Sequence, residues 1–477
     1  MIYLILILAF ILRLVNINQS FWLDEAISAL NTRDLTYTQI INQFLPFDNH
    51  PPFFYFSLKF WGEIFGFSDV VLRLLPVLVS VLTVYFVYLI SKRFFEKRWQ
   101  VFLPALLLAI SPLHVYYSQE LRMYTFITLF AVVTIHLFLR VLEKESFLNW
   151  VLFSVGIILL MGFDYVSVFL LPVFFIYSFI RKKSWKFLVN LILSFAPLLI
   201  IFLFWYPFFI KQVKSGTSFA RTLPEWGKLV GGATFKNAAL LWMKFILGRI
   251  TFTNKLLYYG LIGVSSIPFI ISFIKSFKPW KKFLVIWLWL VFPVISGFVF
   301  SFLIPAFSYF RFIYVLPAFY ILTAAGIFGF NKKFQNLLIG LVLLVNIIGL
   351  FIYYIDPSQQ RENWKQGINF VEKNIKENEI VLFTFPEPFD PYKWYAKNKS
   401  LGFGAADAVN SDPEKTRLKT SSILENKNGV YYFEYLQDLS DPNEVVLNTI
   451  KNSGFTEIEI YNQFNGIGEI RYFVKND

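Results

Sequence analysis

The chain contains no cysteine, which excludes disulfides, thiolate catalysis and cysteine-based metal sites together. Histidine is almost as scarce. His50, His114 and His136 are the only three, too few for a histidine-rich metal centre. Charge is thin as well: 16% of the 477 residues are charged, where soluble domains carry about 25%. What fills the space is apolar, with 56% hydrophobic residues, 20% aromatic and a mean hydropathy of +0.56. These figures imply a polytopic α-helical membrane protein with room for a soluble part. Residues 2–18 are apolar but lack a small-residue cleavage site, so an uncleaved first span is expected rather than a signal peptide.

A net charge of +13 would point to nucleic acid in a soluble protein. Its distribution argues otherwise. From Asp356 onward 14 Lys and Arg stand against 19 Asp and Glu, while the preceding residues hold 30 against 12. Much of that excess lies in short loops between apolar runs, the positive-inside signature. A span needs about 20 apolar residues, and about 11 candidates occur: Ile2–Ile17, Val70–Ile90, Val101–Leu113, Met123–Leu142, Trp150–Met161, Val166–Ile180, Phe187–Tyr206, Leu256–Ile274, Phe283–Leu303, Phe312–Phe330 and Leu337–Tyr354. If they alternate, the basic loops at Lys92–Arg98, Arg181–Lys186, Lys275–Lys282 and Asn331–Lys333 share one side, assigned to the cytoplasm of a plasma membrane. Nine of the 12 acidic residues before Asp356, among them Asp24, Glu25, Asp48, Glu120, Asp164 and Glu225, then face outward.

The expected domains are a membrane domain, 1–355, and a soluble extracytoplasmic α/β domain, 356–477. The membrane domain includes the outer loop 19–69. Within that loop Leu35–Phe44 reads as a short amphipathic helix capped by Thr36 or Thr38. Phe53–Phe67 reads as a second, interfacial helix with Lys59 and Glu63 one turn apart. Beyond Asp356, Asn363–Lys376 and Asn443–Lys451 read as helices. Glu379–Phe385, Val430–Tyr435, Phe455–Ile460 and Glu469–Val474 read as strands, the last entered through a turn at Phe464–Ile467.

Four polar groups stand out at the outer boundary. Asp24 and Glu25 follow Phe21-Trp22-Leu23 where the chain leaves its first span. His50 precedes Pro51-Pro52, which force an extended turn. Ser118-Gln119-Glu120-Leu121-Arg122-Met123-Tyr124 forms a dense polar cluster between apolar spans. Arg311 ends Ser308-Tyr309-Phe310-Arg311 at the start of a span, and an arginine there suits phosphate through its planar fork. Plainer roles stand beside each: headgroup contacts for Arg122 and Arg311, a helix cap for Asp164, structural hydrogen bonding for His114 and His136.

Trp22-Leu23-Asp24-Glu25, His50-Pro51-Pro52 and Ser118–Tyr124, in that order, closely resemble the GT-C glycosyltransferases of the family 39 and 83 type. That group includes protein O-mannosyltransferases and lipid A aminoarabinose transferases. Arg361-Glu362-Asn363-Trp364 resembles bacterial members with an appended soluble domain. The resemblance implies a GT-C membrane domain and inverting transfer of a sugar from a polyprenyl-phosphate donor to a lipid, glycan or protein acceptor on the outer face. Carried onto these positions, Asp24 is the general base and Glu25 supports it or contacts the acceptor. Arg122, with Arg311 second, holds the donor phosphate. His50, Glu120, Tyr124 and Asp164 shape the pocket. No cofactor is required by the resemblance and no metal ligand set is assigned, a divalent ion on outer-loop Glu and His being the weaker alternative. Membrane lipids are partners and nucleic acid is not. The acceptor-recognition elements of the protein mannosyltransferases are not identifiable, which weakens a protein acceptor specifically. The rival class is a transporter or flippase of lipid-linked saccharides, which predicts ionisable residues in mid-span.

Overall fold

The computed structural model describes residues 1–222, 231–406, 408 and 411–476; Glu225, placed above on the outer face, lies outside them. The chain divides into two compact units. One comprises Met1–Ile17, Leu35–Thr217 and Gly227–Ile355, the other Asn18–Asp34, Ser218–Trp226 and Asp356–Asp477.

The first unit is helical because its apolar runs are long and its polar residues fall at their ends. Among the described residues five helices are long and apolar enough to cross a membrane: Asp69–Phe94, Tyr124–Glu143, Trp185–Ser218, Lys255–Ser276 and Lys332–Ile355. Shorter apolar helices are Ile2–Leu14, Phe147–Phe163, Tyr165–Ile180, Leu284–Phe300 and Ile313–Ile327. Their outer faces are apolar, with Phe204 81% and Leu256 85% exposed; lipid, not water, suits such faces.

The expected span Val101–Leu113 is not one helix. It breaks into Phe102–Ala109 and Pro112–Ser118. Pro112 disfavours helical geometry at Ser111, whose side chain instead accepts the His114 N–H. The expected end at Tyr206 is also overrun. The helix from Trp185 continues through Pro207 to Thr222, about 57 Å at 1.5 Å per residue. In the loop expected beyond it, Phe235–Leu247 is helical, capped by Thr234.

Helices Lys255–Ser276 and Leu316–Ile327 touch through their backbones. A methyl group at Gly326 would lie 1.7 Å from the Ser272 carbonyl oxygen. In the outer loop Thr36, not Thr38, caps Tyr37–Gln39 with a reciprocal capping box, and the turns Ile40–Phe44 and Leu45–Phe47 follow. Helix Phe53–Phe65 pairs Lys59 with Glu63 at 3.1 Å and ends at Gly66, φ 99°.

The second unit holds a five-stranded sheet: β1 Glu379–Phe383, β2 Gly402–Gly404, β3 Gly429–Phe433, β4 Phe455–Tyr461 and β5 Ile470–Lys475, in the order β2-β1-β3-β5-β4. β1 runs parallel to both neighbours, Val381 standing opposite Gly402 and Tyr431, and β5 runs antiparallel to β3 and β4. The parallel strands β1 and β3 are buried throughout, so both faces need cover. Val381, Phe383, Tyr431 and Phe433 pack with Trp364, Ile368 and Tyr392 on one face. Ile380, Leu382, Val430 and Tyr432 pack with Leu424, Val446 and Ile450 on the other. Among the elements that go beyond the sequence expectation are β2, helix Asp390–Tyr395 and helix Pro413–Leu424.

Candidate functional site

In the first unit the site is built around a residue the motifs did not single out. Asp48 stands at the start of Asp48-Asn49-His50-Pro51-Pro52, and Pro52 opens the helix Phe53–Phe65. That helix is seated by Phe54 on Phe126 and Phe53 on Phe163, ring centroids 5.6 and 5.9 Å apart. Its first turn therefore brings the Tyr55 hydroxyl back onto Asp48 Oδ2. The other carboxylate oxygen meets His50 Nδ1 at 2.9 Å and accepts the Asn49 N–H at 2.7 Å. Burial pushes the Asp48 carboxyl up, but His50, the Arg122 charge and the Tyr55 hydroxyl outweigh it. They hold the group at about 2, below the ordinary 3.8. The charge of Arg122, from the second outer loop, thus acts on the Asp48–His50 pair of the first.

The extension of the Trp185–Thr222 helix supplies the next layer. Gln212, 2% exposed, donates from Nε2 to the carbonyls of His50 and Leu45 at 2.8 and 3.0 Å. Its Oε1 accepts the Tyr165 hydroxyl at 2.7 Å, and Tyr165 in turn accepts Trp205 Nε1–H. Tyr165 lies within electrostatic reach of both Asp48 and Asp164. Asp164 itself accepts the Val166 N–H at 3.0 Å and caps the turn Tyr165–Leu170. Its observed role is the cap.

The second polar cluster divides its labour. Gln119 turns away from the loop. Its Nε2 donates to the Arg13 and Val15 carbonyls, and Tyr353 donates to its Oε1 at 2.7 Å. With Arg73 on the Ile17 carbonyl at 3.1 Å, it ties down the end of the first helix. Glu120 and Arg122 form a tight turn closed by Arg122 N–H to the Glu120 carbonyl at 2.8 Å. Both side chains are nearly buried. Tyr117 packs on Tyr124 at 5.0 Å, hydrogen-bonds Tyr309 and feels the charge of Glu120. Phe310 lies 5.5 Å from the Tyr124 ring. So the segment Ser308–Arg311 does reach the Glu120–Tyr124 region, but through Tyr309 and Phe310. Arg311 donates to the Pro305 carbonyl at 3.4 Å.

A further guanidinium was not foreseen. Arg249, exposed beyond the helix Phe235–Leu247, lies 4.9 Å over Tyr116 and bonds its hydroxyl. Tyr116 in turn packs on Tyr117 at 5.2 Å. Nothing local marks Arg249, since it sits in a loop without a motif. Near Phe307 an apolar recess of about 190 Å³ is lined by Val294, Ile295, Phe298 and Val299. Among the described residues no group of three or more His, Asp or Glu is placed to hold a metal ion.

In the second unit, Asp24 and Glu25 occupy the first turn of helix Leu23–Asp34, where negative charge complements the helix dipole. Glu25 is fully buried and reaches back to the Trp22 N–H at 3.4 Å, as a residue at that helix position does in a cap. Asp24 is partly exposed. The segment leading in is held by main-chain and side-chain bonds. Gln19 Oε1 accepts the Arg361 N–H at 2.8 Å, Ser20 Oγ donates to the Glu362 carbonyl at 2.6 Å, and the Phe21 N–H donates to the Tyr395 hydroxyl at 2.7 Å. Phe21 packs on Trp394 at 5.4 Å, Arg33 lies 4.7 Å over the same indole, and Leu23 rests on the core around Trp364.

Residues 49–210 match the family described as dolichyl-phosphate-mannose-protein mannosyltransferase. Among solved structures, ArnT from Cupriavidus metallidurans bound to undecaprenyl phosphate superposes with a TM-score of 0.62 at 10% identity, covering 99% of this chain and 96% of that one. The oligosaccharyltransferase of Archaeoglobus fulgidus, tethered to an acceptor peptide, gives 0.53 at 14% identity over 100% of this chain and 74% of that one. By sequence alone, no curated protein matches.

Proposed function

From a chain that carries the GT-C fold, we propose an inverting glycosyltransferase that moves a sugar from a polyprenyl-phosphate carrier to a hydroxyl acceptor on the outer face of the plasma membrane. The observation that carries this reading is the extent of the likeness. A structure bound to undecaprenyl phosphate is matched over 99% of this chain, soluble part included.

In the proposed step the acceptor hydroxyl gives its proton to Asp24 and its oxygen attacks the anomeric carbon. The bond from that carbon to the phosphate oxygen breaks, and the electron pair leaves with the polyprenyl phosphate. A positioned base contributes about 10²–10⁴-fold. Charge that builds on the departing phosphate needs fixed positive groups rather than mobile water. Arg122 is assigned that task, with Arg311 second. Support for Arg122 comes from its burial and from the anionic, hydrogen-bonded Asp48–His50 pair within its field. Glu25, whose cap bond fixes the first turn, supports Asp24. His50, Glu120, Tyr124 and Asp164 line or brace the donor pocket, and the apolar recess beside Phe307 suits an isoprenoid tail. The membrane domain 1–355 and the extracytoplasmic domain 356–477 remain the working division, and transfer needs no cofactor.

The transporter reading predicts ionisable groups lining a path. The buried arginines Arg13 and Arg73 act instead as locks. Arg13 spends one nitrogen on the Ala9 and Ala109 carbonyls and another on His114, and Arg73 donates to Ile17. The test is transfer of radiolabelled sugar from a polyprenyl-phosphate donor in membranes carrying Asp24→Asn or Arg122→Ala. Each variant is expected to lose about 10²-fold or more. Wild-type rates in Asp24→Asn overturn the assignment.

A further inference from the structure

We propose that the C-terminal α/β domain is the seat of the general base, with Tyr395 and Trp394 as positioning residues for Asp24. This deepens the transferase reading and rests on it.

The helix that carries Asp24 begins only five residues after its chain enters the second unit at Asn18. A 12-residue helix with so short a lead has little intrinsic stability, so its orientation must come from what it packs on. Three bonds that fix the lead come from the far end of the sequence. The Arg361 N–H and the Glu362 carbonyl grip Gln19 and Ser20, and Tyr395 accepts the Phe21 N–H. Trp394 fills the gap between Phe21 and Arg33, at both ends of the helix.

The grip is itself braced. The Glu362 carboxylate accepts Trp364 Nε1–H at 2.7 Å and the Tyr435 hydroxyl at 3.1 Å. Trp364 stacks on Phe433 in the sheet core, and Tyr435 lies within the field of Asp24. A rigid sheet thus runs through Trp364 and Glu362 to the strand of chain just before the carboxylate. This explains why Arg361-Glu362-Asn363-Trp364 opens the domain. These residues are its clamp, and misplacement of a catalytic group by about 1 Å is enough to cost 10²-fold.

Trp394 is partly exposed and is no part of the sheet core, while the partly exposed Tyr395 packs against that core with its ring, which Tyr395→Phe keeps, so these substitutions spare the fold of the domain. The full-length protein in membranes is assayed as Tyr395→Phe, Trp394→Ala, Trp394→Phe and, on the opposite helix Pro413–Leu424, Leu418→Ala. A nitroxide at Asp34→Cys, the sole thiol of an otherwise cysteine-free chain, reports the motion of the Asp24 helix. Tyr395→Phe and Trp394→Ala are expected to lower kcat about tenfold or more with KM for the lipid donor within about twofold, and to loosen the nitroxide. Trp394→Phe restores both, and Leu418→Ala changes neither. Wild-type kcat in Trp394→Ala, or a loss of kcat with an unchanged nitroxide spectrum, overturns the proposal. Asp24→Asn run alongside separates the two readings. If it is inactive while Trp394→Ala is fully active, only the seat is wrong; if it is active, the base assignment itself fails.

Discussion

Asp48→Asn tests the physical account of the Asp48–His50 network most directly, because the substitution keeps the shape and removes only the charge. Asp48 is held at about 2 against an ordinary 3.8. At about 1.4 kcal/mol per unit, that difference corresponds to roughly 2–3 kcal/mol of net attraction between the ionised carboxylate and its neighbours. The folded state depresses the pKa, so the contribution is fully present above pH 4 and is lost as the pH falls through about 2. Thermal unfolding of the detergent-solubilised protein is the assay. At pH 7 the variant should melt several degrees below wild type, and at pH 3 roughly half of that gap should remain. Sugar transfer should fall as well, since Arg122 loses the anion that orients it. Equal melting temperatures at pH 7, or a gap that does not shrink on acidification, refute the claim that His50, Arg122 and Tyr55 outweigh the cost of burying Asp48.

Gly326→Ala should destabilise the helical unit strongly, since its methyl group would meet the Ser272 backbone rather than a movable side chain. Gly340→Ala, with nothing within 4 Å of the new carbon, should be neutral or stabilising by up to about 1 kcal/mol; comparing melting temperatures of the pair checks this. In the α/β domain Arg471 bridges Glu434, Glu469 and Glu457 at 2.8, 2.9 and 3.1 Å. Arg471→Met leaves three carboxylates facing one another and should cost about 1–3 kcal/mol, less than a buried pair because the cluster is partly solvated. The loss should be visible as easier proteolysis of the domain and smaller in high salt.

The apolar helices were legible because hydrophobic runs are local signals, the GT-C fold only through the resemblance of its motifs, and the strands β1, β3, β4 and β5 because their patterns are long enough to show. β2 has three residues, too few for any period to appear. The helix Pro413–Leu424 carried a readable start, since Asp412 caps it just before Pro413, but its outward face is polar and no apolar stripe advertised it. The apolar run of the seventh span ends at Tyr206, and the segment beyond it reads as a loop. The helix runs on to Thr222 with Lys211 and Lys214 exposed, and Gln212 beside them turns inward and anchors His50. Asp48 is set apart by nothing local from the other outward-facing acidic residues; only the fold brings the Tyr55 hydroxyl and the charge of Arg122 to it. Likewise no local pattern shows that Gln19 to Arg33 packs with residues beyond Arg361.

That last pairing has a consequence for biogenesis. Ser20 and the Glu362 carbonyl are 342 positions apart, and at about 5–20 residues per second a ribosome needs some 20–70 s to travel between them. Throughout that interval the nascent chain can thread its helices into the bilayer while its amino-terminal acidic helix has nothing to dock on. Truncated or unfinished polypeptides would therefore populate the membrane with the Asp24 helix undocked, and under the proposed assignment a premature stop anywhere before the final sheet is complete should leave an inserted but inert product.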